Sequence, residues 1–95
     1  MKRIFEKTHI ATTSSTVCVG GQAVLRYVTV NTTAAGTIEV YDAATVATTG
    51  TINCVGILQA SVLPGTFRYD CVMSRGITVI ANTASDITVS YERNN

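Results

Sequence analysis

Thr, Val and Ile supply 36 of the 95 residues, as 16, 12 and 8 respectively. Branching at Cβ freezes χ1 in a helix but packs well on a pleated surface. No segment places apolar residues at i, i+3, i+4 and i+7 among helix-forming neighbours. Ala43 to Thr49 is the one alanine-containing stretch, and its Thr and Val content disfavours a helix. The chain therefore reads as all-β. At this length it is one domain, with an exposed area near 5,300 Å² by size scaling.

Seven strands follow from alternation and turn residues. They cover Thr16–Val19, Val24–Val30, Thr37–Asp42, Asn53–Ala60, Thr66–Met73, Gly76–Ala81 and Asp86–Glu92. Turn chemistry separates them, at Gly20-Gly21, 31–36, 48–51, Pro64-Gly65, 74–76 and 82–85. Strict alternation puts Val24, Arg26, Val28 and Val30 on one face of the second strand. It turns Ile38 and Val40 inward on the third, with Glu39 and Tyr41 outward. Phe67, Tyr69, Cys71 and Met73 share a face on the fifth. About seven short, evenly spaced strands predict a small antiparallel β-sandwich or barrel.

Residues 1 to 15 differ in composition, and they read as an extended N-terminal arm before a sandwich domain at 16–95. The arm holds Lys2, Arg3, Glu6, Lys7 and His9, with Ile4, Phe5 and Ile10 between them, and 12–15 is a polar hinge. Such an arm can add a strand to a neighbour. Lys2, Arg3, Ile4, Phe5, Lys7, His9 and Ile10 are the candidate partner-contacting residues. The early basic pair imitates the start of a signal peptide, but Glu6, Lys7, Thr8 and His9 break any apolar stretch after it. No run of 18 apolar residues is present, so no membrane partner is expected.

The residue inventory argues against an enzyme. A nucleophilic triad needs His beside Ser or Cys, and the chain has one His, in the arm. No nucleophile elbow, phosphate-binding glycine loop or HExxH motif occurs. Glu39, Asp42, Asp70 and Asp86 fall on separate strands and turns, as solvated faces or turn caps. Cys18, Cys54 and Cys71 are odd in number, lack a C-x-x-C pair and sit in apolar runs, as buried thiols do. We expect no catalytic residue, no metal and no cofactor. Net charge is +1, too small a field to hold nucleic acid. Only 14% of residues are charged, so much of the surface must be Thr, Ser, Ala and Asn with some Val, Ile and Tyr. A surface of that kind suits burial in a permanent interface.

The motif Gly36-Thr37-Ile38-Glu39-Val40-Tyr41-Asp42 resembles a GTI-x-hydrophobic-YD strand in small β-sandwich structural proteins of tailed bacteriophages. Leu63 to Asp70, Arg75 to Ile80 and Ala84 to Tyr91 extend the likeness in the same order, over residues 17 to 92. The resemblance implies a non-enzymatic virion component. Its first expectation is a capsid cement or decoration protein, made in the host cytoplasm. On the outside of the head it would bridge neighbouring capsomers of the major capsid protein. A homo-oligomer, dimer or trimer, goes with that role, and many copies compensate for weak single contacts. Ile77 departs from the aromatic or Leu usual after the glycine restart, and the arm matches no family motif, so no capsid-facing residue carries over. A tail, fibre or neck subunit is the second expectation. The third is a receptor- or carbohydrate-binding module with Tyr41 or Tyr91 stacking on a sugar.

Overall fold

The alternation of small branched and polar residues produces eight strands in the computed structural model, which describes residues 3–11, 14–32, 35–83 and 85–94. They are β1 (Arg3–Ile10), β2 (Ser14–Val19), β3 (Ala23–Thr32), β4 (Ile38–Tyr41), β5 (Cys54–Leu58), β6 (Gly65–Met73), β7 (Ile77–Ala81) and β8 (Asp86–Asn94). Two single-turn 3-10 segments, Val46–Thr48 and Thr51–Asn53, interrupt the β4–β5 connection.

The strands form two four-stranded antiparallel sheets, ordered β1-β8-β3-β6 and β2-β7-β4-β5. Here they are called sheet A and sheet B. First pairs with last, second with seventh, third with sixth and fourth with fifth. The chain thus behaves as one long hairpin rolled over itself, closed by the β3–β8 and β4–β7 ladders. That connectivity is the jelly-roll form of the β-sandwich.

The core lies between the sheets. Leu25, Val28, Met73, Ile87 and Val89 of sheet A meet Ile38, Val40, Ile77 and Val79 of sheet B, each at most 1% exposed. Full burial of each such side chain is worth about 1.5–3 kcal/mol. Val40 and Ile38 point inward, and Glu39 and Tyr41 outward, as alternation predicts. β6 also keeps its expected phase, with Phe67, Tyr69, Cys71 and Met73 on the core side.

β3 departs from simple alternation. Ala23 and Leu25 are buried in its first half, and Val28 and Val30 in its second. Val24 and Arg26 therefore do not share a face with Val28. The cause is a bulge. Leu25 and Tyr27 oppose adjacent residues Tyr91 and Ser90 of β8, so Arg26 is an extra residue. On the other side, Leu25 and Tyr27 oppose Cys71 and Arg68, so β6 carries one more residue than β3. Asp70 lies in that stretch at φ 49, a left-handed value that aspartate tolerates better than most residues.

The free arm is the main correction. Arg3 to Ile10 pairs with Asn94 to Ile87 without a register shift, as the eighth strand. Of the polar stretch 12–15, Ser14 and Ser15 begin β2, and residues 12 and 13 lie outside the described residues. A strand forms here because Ile4, Glu6, Thr8 and Ile10 alternate toward the sandwich interior, and Ile10 is 4% exposed. Of the charged residues that made the segment look like an arm, Lys7 and His9 sit on the opposite side of that alternation and Glu6 on the inner one.

Candidate interaction surface

The sheet edges are built against strand addition. β1 carries the exposed Lys7 and His9. β2 is bulged at Cys18, β5 at Val55 and β6 between Arg68 and Cys71. Edge charges and bulges are the usual devices that stop sheets pairing edge to edge. The sheet faces and the loops lack these devices.

The outer face of sheet A is organised in rows. Phe5, Glu92, Val24 and Val72 oppose one another across β1, β8, β3 and β6. At the two ends of this row Phe5 is 75% exposed and Val72 66%. Glu92 between them is buried and pairs with Arg26 at 3.2 Å. Arg26 also reaches Asp70 at 3.1 Å, and Asp70 accepts from Arg68. The two bulges thus bring acids and bases of three strands into one alternating network.

The next row places Lys7, Ser90, Tyr27 and Arg68 side by side. Arg68 lies over the Tyr27 ring, 6.0 Å from its centroid. Below it, His9, Thr88, Thr29 and Thr66 form a polar row. His9 Nε2 is 2.5 Å from Asp86 Oδ1, and the Asn31 amide donates to the same oxygen at 3.0 Å. Those two hydrogen bonds, His9 first, hold the Asp86 carboxyl below its usual range.

Sheet B presents Val17, Ile57 and Ile80 outward beside Glu39 and Tyr41. The Tyr41 hydroxyl donates to Glu39 at 2.6 Å, and the Asn82 amide donates at 3.0 Å. The Tyr41 bond is the main cause that lowers the Glu39 carboxyl. It also pushes Tyr41 up to about 12.

The loops carry the most exposed apolar side chains. Ile52, in the second 3-10 segment, is 97% exposed, and Leu63, between β5 and β6, is 77% exposed. The loop start is held firmly. Asp42 accepts hydrogen bonds from the backbone N–H groups of Ser74, Arg75 and Gly76 and from the Ser74 hydroxyl. Burial raises its pKa, but these donors outweigh burial and the carboxyl is lowered overall. Gly76 completes the turn at φ +155, where a Cβ would lie 2.4 Å from the Val19 carbonyl oxygen.

The seven candidate arm residues do not act together. Lys2 lies outside the described residues, as does the side chain of Arg3. Ile10 is core and Ile4 faces inward, half-buried. Phe5, Lys7 and His9 remain on the outer face of sheet A. Their i, i+2, i+4 spacing was the available signal that this segment is a strand with one wet face. Leu63 and Ile52 stand in loops, where no periodicity marks them.

Tyr91 is not a sugar platform. It is 5% exposed, and its hydroxyl donates to the Cys18 carbonyl oxygen at 3.3 Å and shares a hydrogen bond with Thr8 at 3.1 Å. The three cysteines are free and partly buried rather than fully so. Burial pushes the Cys18 thiol up to about 11, and burial with the nearby Asp42 and Asp70 charges raises Cys71. Arg68 and Arg75 do not activate Cys71, because they bind Asp70 and Asn53. Among the described residues no group of three or more His, Cys, Asp or Glu is placed to hold a metal ion. Among the described residues no helix is long and apolar enough to cross a membrane.

No protein-family model matches the chain, and no curated protein matches it. Among solved structures, the chain is similar to one from Bacillus endospore appendages, described as a novel family of disulfide-linked pili. Identity is 16%, the match covers 95% of this chain and 82% of that one, and the TM-score is 0.46. Similarity at that level says nothing about what this chain binds or builds.

Proposed function

We propose that this protein is a non-enzymatic structural subunit that attaches in many copies to a larger protein shell. The shell we favour is a tailed-phage head, with the protein as a cement or decoration subunit bridging capsomers of the major capsid protein. One observation supports this reading above the others. Ile52, Leu63, Phe5 and Val72 stand between 66% and 97% exposed on a rigid jelly roll of 95 residues. Each is a large apolar side chain in water, and covering it against a partner would be favourable, at about 25 cal/mol per Å² buried. The strand edges are blunted, so attachment uses faces and loops, which suits a flat shell surface. The capsid reading itself rests on the resemblance of residues 17 to 92 to phage structural proteins.

Light scattering on the purified chain, then co-sedimentation with heads stripped of this protein, tests the proposal. Saturable, stoichiometric pelleting of a discrete oligomer is expected. A monomer that stays in the supernatant overturns the cement reading. Attachment at a single vertex would assign the protein to a tail, fibre or neck instead.

A further inference from the structure

On the outer face of sheet A, a groove of about 350 Å³ runs over β8, and Phe5, Lys7, Arg26, Tyr27 and Ser90 are among its lining residues. It exists because β8 presents the small Ser90 between longer side chains on both flanking strands. Phe5 and Lys7 stand on the β1 side, and Tyr27 and Arg26 on the β3 side. β1 and β3 are two strand spacings apart, roughly 9.6 Å. Phe5 stands one row, or two residues, along from Tyr27, so the diagonal between their positions is roughly 12 Å. A third ring placed midway on it would be about 6 Å from each, within the range favoured by aromatic pairs. Tyr27 is propped for this role. Arg68, held by Asp70, covers its ring from the β6 side, away from the groove.

The charges of the groove are almost all settled. Arg26 is neutralised by Glu92 and Asp70, and neighbouring Glu6 by Arg93. Lys7 alone has no hydrogen bond or ion pair with the described residues. The groove therefore offers one aromatic slot beside one unspent positive charge.

We infer that this groove is a recognition site for a partner-protein segment that carries an aromatic side chain next to an acidic one. The ring enters over Ser90 between Phe5 and Tyr27, and the carboxylate meets the Lys7 ammonium. A buried aromatic anchor with a flanking charge is a common form of interface hot spot. The site deepens the shell-attachment reading by giving the chemistry of the contact, but it does not need a shell to be tested.

The test is an NMR titration of the isotope-labelled full chain with three dipeptide probes. They are acetyl-Phe-Glu-amide, acetyl-Phe-Gln-amide and acetyl-Ala-Glu-amide. The first should shift amide signals at residues 5–7, 26–27 and 90, with a Kd on the order of 1 mM or tighter. Loss of either the ring or the charge should weaken binding several-fold. Lys7→Glu should remove the preference for the Glu probe over the Gln probe, and Lys7→Arg should retain it. Ser90→Trp should fill the slot and abolish the shifts. Both positions face outward, and an unchanged thermal midpoint checks that the variants fold. If Ser90→Trp fails that check, the Lys7 pair decides. Absence of localised shifts, or equal binding of the Glu and Gln probes, overturns the inference. Because no head is present, a failed titration leaves the co-sedimentation result standing, and the converse also holds.

Discussion

Arg26 and Glu92 form an ion pair at 3.2 Å in which the Glu92 side chain is 5% exposed and the Arg26 side chain 33% exposed. The bulge at Arg26 creates this pair by turning an extra β3 residue toward β8. Arg26→Ala leaves the buried acid without its guanidinium. Water already reaches Arg26, so the loss should be about 2–3 kcal/mol, below that of a fully buried pair. Urea denaturation of the variant measures it. The double replacement Arg26→Met, Glu92→Leu should recover most of the loss, since the charges disappear together.

Deleting residues 1–10 should destabilise the sandwich itself. β1 covers the β8 edge over eight paired positions and buries Ile10. Burial of Ile10 and half-burial of Ile4 together suggest a cost of at least about 3 kcal/mol. For a domain of this size that is a fall in midpoint on the order of 12 °C or more. Calorimetry of the truncated chain checks it. A free arm would leave the midpoint in place.

Gly76→Ala should be among the costliest single-methyl changes. The new Cβ would meet the carbonyl oxygens of Val19 at 2.4 Å and Ala43 at 2.8 Å, both backbone atoms that cannot swing away. The φ of +155 adds strain for any side chain. A loss of about 3 kcal/mol or more is expected in thermal denaturation.

Acid should unfold the protein through carboxylates held low in the folded state. Asp42, Glu39 and Asp86 are all lowered from ordinary values of 3.8, 4.5 and 3.8. A depressed folded pKa means the stabilisation is complete above the unfolded value and is lost as pH falls through the folded one. The midpoint should hold from about pH 8 to about pH 5 and fall below about pH 4. Asp42→Asn should lower the midpoint at neutral pH, because an amide is a poorer acceptor for three backbone N–H groups. It should also reduce the further loss in acid.

The sheet architecture was legible because period-two burial is a local property. β4 reads correctly as Ile38 and Val40 in, Glu39 and Tyr41 out, and β6 keeps its phase along nine residues. β3 breaks the alternation unannounced because a bulge leaves no mark in residue types: Arg26 fits either face of an alternating strand. The phase change depends on what β8 and β6 place opposite it. In β1 the density of charge masks the pattern. Lys7 and His9 face solvent, while Glu6, on the inner side, binds Arg93. The groove over Ser90 was out of reach for a related reason. It is assembled from residues 5, 7, 26, 27 and 90, and only the β1–β8–β3 register brings them together.

The claim that matters most is attachment through exposed apolar residues. It is tested most directly by saturation binding to stripped phage heads, comparing wild type with the double variant Ile52→Asp, Leu63→Asp. Both positions are loop residues at 97% and 77% exposure, so folding should be unaffected. The wild type should saturate at a fixed whole number of copies per capsomer, and the variant should bind with at least a tenfold weaker Kd, on the order of 1.4 kcal/mol. Wild-type protein that never saturates the heads, or a variant that binds them equally well, would contradict it.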